Sequence, residues 1–399
     1  MKVLRFNQDA TCCSVATSPN TLCIYNCDPF GKCFELESGS RNSSRDDLTI
    51  YQASSEENFI IEMLFSTSLI AAVDKNQGFQ KSRKLKIVNT KRKSTICELT
   101  FPHEIIEVVM NRKRMCVLLS SDQIFIYDIS CMKLLQTIDV LEGLSNQGHA
   151  SKSQGSESGR SSVKISLSSS DDRSILCYTA VSRSTAEKQL VNNIVVFDAL
   201  NVTPINYLNA VHKGNIKCLT VSHNGKLVAT ASEKGTIIRV LQTGVDSDFD
   251  ANNPLLYEFR RGTRPSVIHE IKFNPQSTYI GCVGNTDTIH IFKLPQNKNI
   301  EEYGTDSGSS LIDSKFGRES SKQLATFISK RVISRIPSQN LARDYAHINV
   351  TENVRHSIGF PEEFPKQVYV AGDDGKLQIY ELPTAPGECI LVKNSKFLA

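Results

Sequence analysis

Two adjacent arginines in the segment YEFRRGTRP, residues 257–265, are the side chains best suited to binding chemistry. Consecutive residues of a β-strand point to opposite faces, so Arg260 and Arg261 are predicted to serve two different sites. Gly262 follows them, which places the pair near the end of a strand. Each guanidinium can bind a phosphate through two hydrogen bonds. The alternative is a solvated arginine pair on a surface strand, and the segment alone does not exclude it.

The strand pattern around these arginines recurs along the chain. Aliphatic or β-branched residues alternate with a variable residue and end near an aromatic in most copies. The seven copies begin at Leu22, Leu85, Ile124, Ile194, Ile237, Ile289 and Leu377. Most copies follow another apolar strand and a polar turn such as Asn-Gly or Asp-Gly, which favours antiparallel hairpins. Two of the intervals between copies are close to the roughly 40 to 45 residues of a four-stranded propeller blade.

The pattern therefore predicts an all-β protein in which residues 1–399 form a single seven-bladed β-propeller. Three longer intervals contain polar, low-complexity sequence, and they are predicted to be long disordered loops between strands. These flexible insertions are residues 37–57, 142–163 and 295–343. The chain has no tryptophan, so the Trp-Asp dipeptide of the common WD repeat is absent.

The charge balance argues against nucleic acid as a partner. With 46 basic and 42 acidic residues the formal net charge is +4, and the basic segments lack interleaved stacking aromatics. No stretch approaches the roughly 20 apolar residues that span a bilayer. We therefore expect a cytoplasmic, monomeric protein that binds membranes only peripherally.

Neither a metal site nor catalysis is predicted. The chain has twelve cysteines, and most lie in apolar strand-like runs, which favours reduced buried thiols. Cys23, Cys27 and Cys33 follow neither the paired CxxC spacing nor a nearby histidine pair. P-loop, GxGxxG, HExxH and GxSxG motifs are missing, so we expect no enzyme and no cofactor. A stronger alternative than an enzyme is a propeller that serves only as a docking surface for other proteins, without direct lipid recognition.

Three segments, ATASEKGTIIR, FRRG and GNTDTIHIFKL, together resemble the PROPPIN family of seven-bladed propellers. That resemblance implies binding of phosphatidylinositol 3-phosphate and 3,5-bisphosphate in autophagy and in endosomal or vacuolar trafficking. FNQDATCC, NCDPFGKCFE and FPHEIIEVVMNRKRMCVLL look like the fungal subgroup that supports selective autophagy, including cytoplasm-to-vacuole targeting. The subgroup implies recruitment of the lipidation complex of a ubiquitin-like modifier through its coiled-coil component, on preautophagosomal, endosomal and vacuolar membranes.

The resemblance also implies two lipid headgroup sites. The residues matching the first site are Arg260, Arg239, Thr230, Ser232, Thr236 and, nearby, His212. The residues matching the second site are Arg261, Gly262, Thr288 and His290. Gly284 stands where relatives often carry a serine, so the second site is expected to persist in a weakened form. Since an imidazole becomes cationic near pH 6.5, binding is expected to strengthen on mild acidification.

The insertion at residues 295–343 contains a basic, amphipathic stretch. Apolar residues at helical spacing alternate with cations there, as in segments that lie in the headgroup layer. The residues expected to insert are Leu324, Phe327, Ile328, Lys330, Arg331 and Val332. Its position in the sixth blade matches the membrane-inserting loop of the family. The alternative is a loop that packs on its own propeller.

A second basic group, residues 111–114, lies in the region of the second and third blades. Arg112 and Arg114 are candidates for binding an acidic partner helix such as the coiled-coil component. A plain solvated turn explains the same residues equally well.

Overall fold

The protein is described by a computed structural model covering residues 1–37, 58–75, 82–140, 163–183, 190–246, 249–251, 253–295 and 342–397. In these ranges twenty-nine β-strands form seven sheets. Each sheet contains four antiparallel strands in chain order, and the sixth sheet has a fifth strand that pairs in parallel. Among these residues there is no helix long and apolar enough to cross a membrane.

The seven sheets are the blades, numbered here in chain order. Blade one contains β1 (Lys2–Phe6), β2 (Cys12–Ser18), β3 (Thr21–Asn26) and β4 (Gly31–Glu37). Blade two contains β5 (Phe59–Met63), β6 (Leu69–Asp74), β7 (Lys84–Asn89) and β8 (Ser94–Thr100). Blade three contains β9 (Ile105–Met110), β10 (Arg114–Leu119), β11 (Gln123–Asp128) and β12 (Lys133–Asp139). Blade four contains β13 (Ile165–Leu167), β14 (Ile175–Arg183), β15 (Leu190–Asp198) and β16 (Thr203–His212).

The remaining blades surround the adjacent arginines. Blade five contains β17 (Ile216–Val221), β18 (Leu227–Ser232), β19 (Ile237–Gln242) and β20 (Leu255–Arg260). Blade six contains β21 (Ile268–Phe273), β22 (Tyr279–Gly284), β23 (Thr288–Lys293), β24 (Ala346–Asn349) and the added β28 (Gly387–Glu388). Blade seven contains β25 (His356–Gly359), β26 (Gln367–Gly372), β27 (Lys376–Glu381) and β29 (Ile390–Lys396).

Every copy of the recurring motif lies on the third strand of a blade. Those strands are β3, β7, β11, β15, β19, β23 and β27. The predicted all-β, seven-bladed propeller is therefore confirmed. Residues 37–57 begin at the end of blade one, residues 142–163 lie between blades three and four, and residues 295–343 lie between β23 and β24.

Seven apolar clusters of the described residues hold the ring together, and each is shared by two neighbouring blades. Between blades five and six, for example, Ile238 and Phe259 pack with Ile271 and Phe292. The rings of Phe259 and Phe292 stack with centroids 5.0 Å apart. Because a blade is covered on both faces, its middle strands can be apolar on both sides.

The ring closes between the two ends of the chain. Blade one is built from the first strands and blade seven from the last, and the joint contains side-chain packing, a hydrogen bond from the backbone and an ion pair between Lys393 and Asp28 at 2.6 Å. Phe397 packs edge-on against Tyr25 with ring centroids 5.0 Å apart, within a cluster that also contains Val3 and Tyr369. The backbone N–H of Val3 donates to the Asp373 carboxylate at 2.6 Å.

We predict that Phe397→Ala destabilises the fold by about 3 kcal/mol, because a buried aromatic is lost from the closing joint. Phe397 is 6% exposed. Leu391→Ala is the matched control, since Leu391 is 47% exposed on the outer strand of the same blade and its loss should cost under about 0.5 kcal/mol. Urea unfolding measures both, and equal free energies of unfolding for the two variants would contradict closure by this cluster.

Candidate functional site

Arg260 is the last residue of β20, and Arg261 is the first residue after the strand. Phe259 is buried in the cluster between blades five and six, so the alternation of a strand places Glu258 and Arg260 on the opposite face, towards blade four. Arg261 follows the strand and lies on the blade-six side. Its Nε donates to the Gly235 carbonyl at 2.8 Å and its Nη2 to the Arg264 carbonyl at 2.5 Å. The Arg261 guanidinium also lies near Cys282 of blade six, and burial lowers the pKa of Arg261.

The residues matched to the first site meet on the blade-five face that turns towards blade four. Thr230 of β18, Arg239 of β19 and Glu258 of β20 are direct cross-strand neighbours. Ser232 and Arg260 lie two residues further along their strands and share that face. Neither side chain makes a hydrogen bond to another residue in the described ranges, so both are available to a ligand.

The two other residues matched to the first site differ in their contacts. His212 ends the outer strand of blade four, and its Nε2 lies 2.9 Å from the Thr230 hydroxyl. Thr236 starts the turn into β19, and its carbonyl accepts the backbone N–H of Arg261 at 2.9 Å. The residues matched to the first site, apart from Thr236, therefore lie between blades four and five.

Arg239 is already held by two protein groups. Its Nε donates to the Glu258 carboxylate at 2.6 Å, and its Nη1 donates to the Val211 carbonyl. Both partners in the ion pair are 28% exposed. Glu258 is a residue of the candidate first site that the sequence did not indicate, because one carboxylate in a strand carries no motif.

The expected cationic role of His212 is wrong. His212 is 7% exposed, and burial lowers its pKa to about 4, with the positive charge of Arg239 acting in the same direction. The imidazole is therefore neutral at pH 6 and above. It supports Thr230 through a hydrogen bond and adds no charge to the site.

Two of the residues matched to the second site, Thr288 and His290, lie on the blade-six face that turns towards blade five, whereas Arg261 and Gly262 follow β20 of blade five. His290 is the cross-strand partner of Cys282 on β22, which belongs to the cluster between these blades. Thr288 is two residues earlier on β23 and shares its face. The Thr288 hydroxyl donates to Asp287 at 3.1 Å, and His290 Nδ1 lies 2.8 Å from the Asp344 carboxylate. The hydrogen bond with His290 lowers the pKa of Asp344.

Gly284 is constrained by its neighbours. A Cβ atom added there would lie 2.9 Å from the Val267 carbonyl and 3.0 Å from the Ser266 hydroxyl. A serine at this position would need the surrounding chain to shift. The Ser266 hydroxyl, which donates to Asn285 at 2.6 Å, already places an oxygen beside this position.

Both ends of the long insertion are fixed to β20. The Tyr257 hydroxyl donates to the Pro295 carbonyl at 2.8 Å, and the backbone N–H of Arg260 donates to the Ala342 carbonyl at 2.9 Å. The candidate inserting residues 324–332 lie outside the described residues.

The candidate partner patch is only half exposed. Arg114 is buried, and its guanidinium donates to the Ala199 carbonyl at 2.8 Å and to the Leu200 carbonyl at 3.0 Å, joining blades three and four. The expectation of Arg114 as a partner-binding residue is therefore wrong. Arg112 is exposed, stacks 3.9 Å over the Phe65 ring and pairs with Asp171 at 2.9 Å.

The cysteines named in the sequence divide between core and surface. Cys23 and Cys27 are buried, Cys33 is exposed, and all three are free thiols. Within the described ranges no cluster of three histidine, cysteine or carboxylate residues could hold a metal ion.

Comparison with known proteins matches the PROPPIN family model to residues 1–398. The chain is 57% identical to autophagy-related protein 21 of Eremothecium gossypii over 412 residues, and it is 47% identical to that of Saccharomyces cerevisiae over 495 residues. Both alignments cover 100% of both chains. Among solved structures, the complex of KlAtg21 with the coiled-coil of AgAtg16 matches with a TM-score of 0.76 and 46% identity, over 100% of this chain and 99% of that one. Kluyveromyces lactis Hsv2p matches at a TM-score of 0.62 and 16% identity over 100% of both chains, which supports the fold alone.

We predict that His212 makes the fold sensitive to mild acid. Its folded pKa of about 4 lies below the ordinary value of 6.5, so the unfolded chain takes up the proton first. Stability is then complete above pH 6.5 and is lost as the pH falls towards 4. At pH 5 the loss from this group is about 2 kcal/mol.

Denaturant unfolding of the wild type and His212→Gln at pH 7 and pH 5 checks this. Glutamine cannot titrate, so the variant should lose about 2 kcal/mol less between the two pH values. Parallel losses in the two proteins would contradict the assignment of a neutral, buried His212.

Proposed function

The chain belongs to the PROPPIN family, and we propose that it binds phosphoinositide headgroups at two sites flanking blade five. The proposed ligands are phosphatidylinositol 3-phosphate and 3,5-bisphosphate. The observation that carries the proposal is the divergence of Arg260 and Arg261 to opposite faces of blade five. Each arginine has a set of hydroxyl and imidazole groups from the adjoining blade surfaces on its own side.

The side chains of each site suit a phosphorylated inositol ring. Such a ring requires several converging donors, and arginine, threonine and serine supply them without a catalytic group. In the first site Ser232 and Arg260 are unengaged among the described residues, which leaves them available to a phosphate. PROPPIN propellers are binding scaffolds rather than enzymes, which agrees with such a site.

The insertion between β23 and β24 supports membrane contact at the same edge. Because Pro295 and Ala342 both hydrogen-bond to β20, the insertion starts and ends beside the strand that carries Arg260. A basic amphipathic stretch rooted there would reach the membrane that the headgroup sites face. Each basic contact with an anionic surface contributes about 1 kcal/mol, whereas tethered contacts multiply their affinities by roughly 10² to 10⁴.

We also propose that the protein recruits the lipidation complex of the ubiquitin-like modifier to preautophagosomal, endosomal and vacuolar membranes from the cytoplasm. The related KlAtg21 was solved in complex with a coiled-coil of AgAtg16. On this chain, exposed Arg112 and Lys113 offer two cations to an acidic helix. The His290 contribution to lipid binding at low pH stays a prediction.

We predict that Arg260→Thr with Arg261→Thr abolishes binding to vesicles containing phosphatidylinositol 3-phosphate, while either single change weakens binding about tenfold or more. Two tethered sites multiply their affinities, so one remaining site retains part of the binding. Vesicle flotation measures the bound fraction. Arg92→Thr is the control, because Arg92 is an exposed arginine on blade two, away from both sites.

Flotation of the double variant at the wild-type level would overturn the lipid proposal. That result would favour a scaffold propeller that binds proteins without direct lipid recognition. Loss of the fold is excluded by comparing the thermal unfolding of the variants.

A separate prediction concerns the protein partner. Arg112→Glu should reduce capture by an acidic coiled-coil of the lipidation complex about tenfold, because charge reversal at a contact creates repulsion. Arg173→Glu is the matched control, since the side chain of Arg173 is 42% exposed, against 47% for Arg112, and also pairs with an aspartate, Asp246 at 3.3 Å. Equal loss with both variants, or none with Arg112→Glu, would count against this surface.

A further inference from the structure

Glu258 is a carboxylate inside the proposed first headgroup site. It accepts a hydrogen bond from Arg239 Nε at 2.6 Å, and its side chain is 28% exposed. It also lies two residues before Arg260 on β20, so both side chains project from the same face. A phosphate that contacts Arg239 and Arg260 together therefore comes close to the Glu258 oxygens.

The charged groups on this face of blade five partly cancel one another. Arg239 and Arg260 are cations, Glu258 is an anion, and His212 is neutral near pH 7 because burial lowers its pKa. The Arg239 guanidinium is already shared between Glu258 and the Val211 carbonyl. The first site is thus less cationic than its two arginines suggest.

The second site differs in this respect. Its carboxylates, Asp287 and Asp344, contact Thr288 and His290. The hydrogen bonds of Arg261 go to the carbonyls of Gly235 and Arg264, which leave its charge intact. Among the described residues, an arginine of the first site pairs directly with a carboxylate, whereas Arg261 of the second site pairs with carbonyl groups.

Repulsion between a carboxylate and a headgroup increases with the charge of the headgroup. Each additional phosphate adds up to two negative charges near Glu258, and the partly buried location screens them less than bulk water does. We propose that Glu258 determines specificity in the first site, by disfavouring bisphosphorylated over monophosphorylated phosphoinositides. This inference rests on the proposed lipid function and specifies which headgroup the first site prefers.

The experiment uses the full chain with Arg261→Thr, so that the first site dominates binding. Calorimetric titration with soluble dioctanoyl phosphatidylinositol 3-phosphate and 3,5-bisphosphate gives one dissociation constant for each lipid. Adding Glu258→Gln should tighten binding of the bisphosphate about tenfold and of the monophosphate about threefold. Adding Glu258→Asp, which keeps the charge, should leave the ratio of the two constants near its starting value.

Glu98→Gln is the matched control for total charge. Glu98 pairs with Lys84 at 2.8 Å on blade two, and its loss should leave both constants unchanged. The ratio of the two dissociation constants is the decisive quantity. If Glu258 only positioned Arg239, its removal would weaken the binding of both lipids to the same extent. An unchanged ratio in Glu258→Gln, or weaker binding of both lipids, would overturn the inference while leaving the proposed function in place. Absence of binding by the wild type to either lipid would overturn both.

Discussion

The burial of Phe259 determines which face of β20 each neighbouring side chain occupies, and the positions of both candidate headgroup sites follow from it. Its ring packs between blades five and six with Ile238 and Phe292, where it is 3% exposed. Because side chains alternate along a strand, this one contact sends Glu258 and Arg260 to one face and leaves Arg261 for the other. A slip of one residue would exchange the faces, and such a slip would expose the aromatic ring to water.

β20 also connects the candidate headgroup sites to the rest of the propeller. β20 pairs with β19 along its length and receives the end of the long insertion through Ala342. The Arg261 guanidinium spans the turn at Gly235 and the connection at Arg264, which fixes the boundary with blade six. Core packing thus determines where the arginines lie, and Glu258 pairs with one of them, Arg239.

The sequence was sufficient for the parts of the molecule that depend on local periodicity. Seven copies of one strand pattern predicted seven blades, and strand alternation predicted different faces for Arg260 and Arg261. The groups that it did not reveal depend on contacts between distant residues. Asp344 contacts His290 across the insertion, and Arg114 contacts Ala199 of the next blade. Burial lowers the pKa of His212, and the charge of Arg239 on blade five acts in the same direction. No spacing rule encodes such pairs.

The number of headgroups that one chain binds tests the central claim most directly. Native mass spectrometry of the full chain with soluble dioctanoyl phosphatidylinositol 3-phosphate counts the lipids bound to each molecule. Two independent sites on opposite faces of blade five predict two lipids on the wild type and one on each of Arg260→Thr and Arg261→Thr. A single lipid on the wild type, lost with either substitution, would mean that both arginines serve one site and would contradict the account.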